Sequence, residues 1–329
     1  MPHRKAKKPR GSRGSKHDSC VQDFSDKSYH DLMVLLPKDN DKAARFLKFQ
    51  QVVDRLEFLG YSSIALVHQV FGKPKDLNAD KIFEPYEQIL GGKKRKRPLQ
   101  VYRRLHAVIE NLSDIAFFTS NDQKLLESYD LISLAPCNEA ILQAVCSSAL
   151  VNMITLDYSR GGLPFKVRST YVQAAVDRNV AMEILYAPSI HHLPHRKGLI
   201  QTIRAVQSAS TGKKLQLVVS SGGTDTNALR SPGDIANVLE TLAGLDPVQA
   251  RTAQSSAASW VLEEAQKGRR GDSSRIVTSV RFGSGKATEK DEQGGEPEKT
   301  VERKVPANDL VSDAEEEDEE ANGDGFITL

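Results

Sequence analysis

Seven short apolar runs, each followed by residues with helical spacing, constrain this chain more than any other feature. They are Asp31–Leu36 (DLMVLL), Ser63–His68 (SIALVH), Val101–Ile109, Asp130–Leu134 (DLISL), Val151–Leu156 (VNMITL), Ala181–Tyr186 (AMEILY) and Leu215–Ser220 (LQLVVS). Most are continuous rather than alternating. A strand with one wet face alternates apolar and polar residues, and a strand covered on both faces does not, so the runs predict a parallel sheet. An eighth strand is predicted near Ile115–Phe118.

The stretches between the runs read as helices. Phe46, Phe49, Val53 and Leu56 recur at helical spacing, and Gly60 supplies a stop before the second strand. Asn138-Glu139 opens a helix with Ile141, Leu142 and Val145 facing inward. Ser231-Pro232 is an N-cap followed by proline at the first helical position, ahead of the stripe Ile235, Val238, Leu239 and Leu242. Asp246-Pro247 repeats that signal for a last helix reaching about Glu264. Seven or eight β-α units over residues 28–267 match the size of a (β/α) barrel. An open doubly wound sheet is the alternative, but no G-x-G-x-x-G follows the first strand and no G-x-x-x-x-G-K-[ST] occurs. The predicted fold class is therefore α/β, a TIM-like (β/α) barrel.

Charge divides the chain into three parts. Its 329 residues hold 45 Lys+Arg and 43 Asp+Glu, a formal charge of +2. Residues 1–17 carry seven basic side chains and no acid, whereas residues 268–329 carry nine basic and 16 acidic ones. Residues 1–27 and 268–329 have too little apolar surface to offset ordering entropy. They are predicted to be a disordered basic arm and a disordered acidic tail flanking the barrel domain. No apolar run approaches the ~20 residues of a membrane helix, and the N-terminus lacks the apolar stretch of a secretory signal. No membrane partner is expected. Cys20, Cys137 and Cys146 are too few and scattered for a disulfide framework or zinc site, and free thiols fit the cytosol or nucleus.

The basic clusters are the loudest functional signal. Arg4, Lys5, Lys7, Lys8 and Arg10 lie in the arm, and Lys93, Lys94, Arg95, Lys96 and Arg97 form an unbroken run. Such cations serve nuclear import, contact with RNA or DNA by release of phosphate counterions, or both. A second set is predicted in loops of the body: Arg103, Arg104, Lys166, Arg168, Arg178, Arg196, Lys197, Lys213, Lys214 and Arg230, with Tyr102, Phe165 and Tyr171 among them. Guanidinium planes and aromatic rings can stack on unpaired bases, although ordinary surface charge fits the same pattern. Ser220-Ser221-Gly222-Gly223-Thr224 after the last strand reads either as a phosphate-binding loop or as a turn that needs glycine. His191, His192 and His195, with His30, Asp31 and His68, are the candidate metal ligands. There is no H-x-H or H-E-x-x-H pair, and a solvated loop is the simpler reading. Ser312, ahead of an acidic run, is a candidate phosphorylation site.

Three longer stretches carry a resemblance. FLGYSSIALVHQV (Phe58–Val70), LPFKVRSTYVQAAVDRNVAMEILYAPSI (Leu163–Ile190) and LVVSSGGTDTNALRSPGDIANVLETLAGLD (Leu217–Asp246) resemble, in order and spacing, the thirty-kilodalton protein subunit family of ribonuclease P and RNase MRP. The resemblance covers about Tyr29 to Ala265. It implies a TIM-like barrel in a ribonucleoprotein that removes the 5′ leader from precursor tRNA, and in a related particle acting on rRNA precursors. Cleavage would belong to the RNA with its bound magnesium, and no cofactor would sit on the protein. The implied partners are ribonuclease P or MRP RNA, precursor tRNA and other protein subunits, and the implied location is the nucleus and its nucleolus. Lys166, Arg168, Arg178, Arg196, Ser220, Ser221, Arg230 and Ser231 are implied in RNA or subunit contact, with Lys93–Arg97 as an added basic insertion. The family barrel is also similar to metal-dependent phosphoesterases of the polymerase and histidinol phosphatase type, which gives the alternative function. His30-Asp31 stands where that type opens with H-x-H. A pure protein-interaction module is a third reading.

Overall fold

The computed structural model describes residues 28–74, 78–91, 98–119 and 128–270. The predicted basic arm, the Lys93–Arg97 run, Cys20, Ser312 and the tail from residue 271 onward lie outside the described residues.

All seven apolar runs form strands: β1 (His30–Leu35), β2 (Ser63–Phe71), β3 (Gln100–Ile109), β4 (Leu131–Pro136), β5 (Met153–Leu156), β6 (Ala181–Leu185) and β7 (Leu217–Ser220). They lie side by side in chain order, every neighbouring pair parallel. Parallel neighbours need a crossover, and helices supply it. These are α1 (Lys42–Phe58), α2 (Ala79–Gly91), α3 (Leu112–Thr119), α4 (Glu139–Ser148), α5 (Ser169–Asp177), α6 (Pro188–His191), α7 (Leu193–Ser210) and α8 (Pro232–Thr241). Then come α9 (Pro247–Thr252) and α10 (Ser256–Arg270). The predicted local signals operate as expected. Gly60 ends α1 at φ +96°, Asn138 Oδ1 accepts from Ile141 N–H at α4, and Ser231 Oγ accepts from Asp234 N–H at α8.

Ile115–Phe118 is not an eighth strand but lies in α3, where Ile115 and Phe118 share one buried face. A short apolar run fits a buried helix turn as well as a strand. β1 and β7 form no ladder with each other, and the nearly closed barrel is bridged between them by other hydrogen bonds. Near the C-terminal end of the strands, Gly222 N–H donates to Met33 O (3.0 Å) and Ser221 N–H to Asp31 Oδ1 (3.0 Å). Near the N-terminal end, His30 N–H donates to Gln254 O and Val219 N–H to Ala253 O. Those two carbonyls belong to the turn between α9 and α10. The single last helix expected from Asp246 to about Glu264 is therefore two helices, broken where the backbone turns its carbonyls toward β1 and β7.

The larger core lies between the sheet and the outer helices. A smaller one fills the N-terminal end of the barrel, where Leu32, Ala65, Leu131, Met153, Ala181 and Val218 meet Ala257, Ala258, Val261, Leu262 and Ala265 of α10. The alanines let the α10 backbone approach closely, so this helix plugs one mouth. Trp260 is partly buried against this cluster. The opposite, C-terminal mouth remains for the strand-to-helix loops, where (β/α) barrels build their sites. Among the described residues no helix is long and apolar enough to cross a membrane.

Candidate nucleic-acid interface

A polar layer lies beneath the C-terminal mouth. Arg103 and Arg104, grouped with the loop cations although they fall within the predicted strand Val101–Ile109, both stand in β3. Successive strand residues point to opposite faces. Arg103 points outward, to Glu87 (2.7 Å) and Asp80 of α2. Arg104 points inward and is fully buried. Its guanidinium donates to Glu183 Oε1 (2.7 Å) and Oε2, to Ser133 Oγ (2.9 Å), to Thr155 Oγ1 (3.1 Å) and to Leu32 O. Ser220 Oγ and Thr155 Oγ1 each donate to Glu183 at 2.7 Å. Burial alone would push the Glu183 carboxyl up, but the Arg104 charge and these donors hold it below the usual carboxylate range. His106 Nδ1 lies 2.9 Å from Ser133 Oγ. Burial, aided by the Arg104 charge, pushes that imidazole down to about 3.

This layer absorbs two of the predicted contact residues. Ser220 and Ser221 are fully buried. Ser220 serves Glu183, while the Ser221 amide serves Asp31 and its hydroxyl donates to Met33 O (3.3 Å). Their small size matches internal bonding rather than an exposed anion loop. Gly222 follows at φ +62°, where an added Cβ would lie 2.8 Å from Leu185. The glycine thus meets the need of a tight, barrel-closing turn. Arg230 and Ser231 come next. Tyr61 Oη donates to Arg230 O (3.2 Å), Arg230 N–H donates to Tyr186 Oη (3.1 Å), and the guanidinium touches Asn227 O and Leu229 O. Ser231 is the N-cap of α8.

The other predicted cations divide by location. Lys166 and Arg168 lie exposed on the loop from β5 to α5. Arg168 pairs with Glu139 (2.6 Å) over the Tyr171 ring, whereas Lys166 has no ion pair among the described residues. Arg196, exposed near the start of α7, donates to Ser189 O and Ile190 O. Arg178 is elsewhere: it donates to the carbonyls of Val145, Cys146 and Ala149 and so caps the C-terminus of α4. That position favours a cation for reasons internal to the helix. The structure thus brings Lys166, Arg168 and Arg230 to the C-terminal-mouth loops and Arg196 to the start of α7 beside them, and gives Arg178, Ser220, Ser221 and Ser231 internal tasks.

The same mouth holds a cleft of about 910 Å³ between the ends of β1 and β2, the start of α1 and the loop after β7. Leu35, Val52, Val67 and Ile82 make its apolar part, with Gln51, Gln69, Lys38, Arg45 and Lys48 around them. None of these was singled out in the sequence. The available signal was position alone: Lys38 and Asp39 directly follow the first strand, where barrel sites are built.

The alternative metal set does not assemble. His30, at the N-terminal end of β1, is held between Ser63 Oγ (2.9 Å) and Ser259 Oγ (2.7 Å). His68 meets Tyr129 Oη (2.6 Å). His191, beyond the C-terminal end of β6, approaches Asp225 at 3.8 Å, and His195 faces Pro188 O. Among the described residues no three His, Cys, Asp or Glu side chains form a group that could hold a metal ion.

The family described as RNase P subunit p30 matches residues 28–270, the whole of the barrel. The chain belongs to this family. It is 26% identical over 237 residues to the probable ribonuclease P protein subunit 3 of Schizosaccharomyces pombe, covering 72% of this chain and 93% of that protein. It is 24% identical over 208 residues to ribonuclease P protein subunit p30 of Mus musculus, covering 62% and 76%. A 29% identical match to Protein GAMETOPHYTE DEFECTIVE 1 of Arabidopsis thaliana spans 52% of this chain but only 28% of that protein. In structure it is similar to a chain of archaeal ribonuclease P with mature tRNA, with a TM-score of 0.56 at 14% identity over 80% of this chain and 100% of the other. That likeness bears on the fold. As a p30-family barrel, the chain combines a buried polar layer with a C-terminal mouth that carries accessible cations.

Proposed function

We propose that this p30-family chain is a non-catalytic protein subunit that binds and organises the RNA of ribonuclease P for removal of the 5′ leader from precursor tRNA. The same role extends to RNase MRP and rRNA precursors, in the nucleus and nucleolus. Magnesium acts on the RNA, and other protein subunits are the neighbours. The observation that carries the reading is the separation of charge in the barrel. Asp31, Glu183 and His106 are buried beneath the mouth, while Lys166, Arg168 and Arg230 are on its loops and Arg196 is near the start of α7. A surface of that kind neutralises phosphate and positions a polynucleotide.

The test uses the full chain. Changing Lys166, Arg168 and Arg230 together to Ala should weaken binding to ribonuclease P RNA and reduce the slope of log affinity against log salt by about 0.7–0.9 per lost phosphate contact. Unchanged affinity across several salt concentrations rejects the assignment. Leader removal by the polypeptide with no RNA subunit present rejects the non-catalytic role.

A further inference from the structure

β2 and β3, at nine and ten residues, are longer than the other strands, and β1 has only six. Strand alternation puts Val67, Gln69 and Phe71 on one face of β2. Val67 and Gln69 line the cleft at the C-terminal mouth. Phe71, at the tip of the strand above them, is 67% exposed, and among the described residues no ring or cation packs on it. Its ring therefore faces water at the tip of the strand whose Val67 and Gln69 line the cleft.

The rest of the cleft narrows the choice of occupant. Lys38, Arg45 and Lys48 supply three positive charges. Lys48 pairs with Asp39 at 3.0 Å, and Asp225 has His191 at 3.8 Å, so both carboxylates on this rim stand beside cationic or protonatable groups. Arg45 Nε is buried and has no hydrogen-bond acceptor among the described residues. A buried donor without an acceptor is costly, so it points to an acceptor supplied from outside. Gln51 and Gln69 each offer a donor and an acceptor, as the edge of a base requires. An acidic peptide would satisfy the cations but would leave the ring and the amide edges without a reason. A volume of about 910 Å³ is ample for one nucleotide with its flanking phosphates.

We propose that this cleft takes an unstacked nucleotide from a single-stranded segment of RNA. Phe71 stacks on the base, Gln69 reads its edge, and Lys38, Arg45 and Lys48 meet the neighbouring phosphates. This inference rests on the RNA-binding reading above and assigns that reading a second surface.

The experiment is photocrosslinking of the full chain to ribonuclease P RNA carrying 4-thiouridine, with peptide mapping, alongside affinity measurements. Crosslinks should fall at the tip of β2. Phe71→Ala should lower affinity about tenfold, the size of a lost base stack, and Phe71→Trp should restore it. Phe71 is exposed, so an unchanged melting temperature will show that the Ala variant is folded. Lys38→Ala with Lys48→Ala should flatten the salt dependence. If Phe71→Ala binds like the wild type and β2 takes no crosslink, the cleft assignment is wrong. A loss with the Lys166, Arg168 and Arg230 variant in that case leaves the RNA-binding role standing. If neither set alters binding, both fail.

Discussion

The Arg104 guanidinium and the Glu183 carboxylate meet edge to edge inside the barrel, with no exposed surface on either side chain. Two hydroxyls, Thr155 and Ser220, bind the same carboxylate. Removing one charge from such a pair strands the other in an apolar interior. Replacing both removes the problem. Glu183→Leu or Arg104→Met alone should each destabilise the chain by about 3–5 kcal/mol. The double variant Arg104→Met with Glu183→Leu should cost less than the sum of single variants at the two positions. Urea unfolding followed by circular dichroism gives the coupling. Additive losses would show that the pair is not a single unit.

Stability should fall with acid before the ordinary carboxylates titrate. Burial pushes the His106 imidazole down to about 3, and His30 down to about 4. The unfolded chain takes up these protons near pH 6.5, and the folded chain refuses them. The contribution is thus full above pH 6.5 and declines as pH falls toward 4 and 3. Glu183, held low, adds a further loss as pH falls through the ordinary carboxylate range and below it, and Asp31, whose carboxyl burial pushes up, acts in the opposite sense. His106→Gln should reduce the slope of stability against pH between 6 and 4 by up to one proton, about 1.4 kcal/mol per pH unit. Unfolding curves at pH 7, 6 and 5 measure it, and an unchanged slope would place the proton uptake elsewhere.

Ser231 gives a clean separation between folding and binding. Its hydroxyl caps α8 through Asp234 N–H at 3.2 Å. Ser231→Ala should cost about 1 kcal/mol of stability and leave the salt slope of RNA binding as it is. A changed slope at unchanged stability would return Ser231 to the contact surface.

Gly222 is fixed by two independent constraints, its φ of +62° and the 2.8 Å approach that a Cβ would make to Leu185. Gly222→Ala should destabilise by about 1–3 kcal/mol, the cost of strained backbone. Gly244 lies at φ +73° with nothing within 4 Å of a built Cβ. Gly244→Ala should therefore cost less. Equal melting temperatures for the two variants would remove the packing part of the explanation.

The strands were legible because a strand buried on both faces reads as a nearly continuous apolar run, and most of β1 to β7 are written that way; β3, with Arg103, Arg104 and His106 inside it, is the exception. Ile115–Phe118 misled because four apolar residues have no period. The break between α9 and α10 left no trace, since no Gly or Pro lies in Ala253-Gln254-Ser255 and only the pull of His30 and Val219 on their carbonyls makes it. At the site, Lys166 and Arg168 were visible as loop cations. Arg104 was not, because an Arg-Arg pair reads as surface until strand alternation sends one member inward. Ser220 and Ser221 look alike as small polar residues whether they serve an anion or a buried carboxylate. The cleft was hidden for the opposite reason. Phe71, Lys38 and Arg45 are unremarkable singly, and only closure of the barrel brings β1, β2 and the loop after β7 together.

The polar layer draws on β1, β3, β4, β5, β6 and β7 through Leu32, Arg104, Ser133, Thr155, Glu183 and Ser220. These tethers share one origin just below the loops, so the loops inherit fixed spacing before any guest arrives. Preorganisation of this kind shifts the ordering entropy of association onto the visiting polymer. Among variants that leave the knot intact, differences in affinity should then surface as residence time, while arrival rates follow charge and ionic strength.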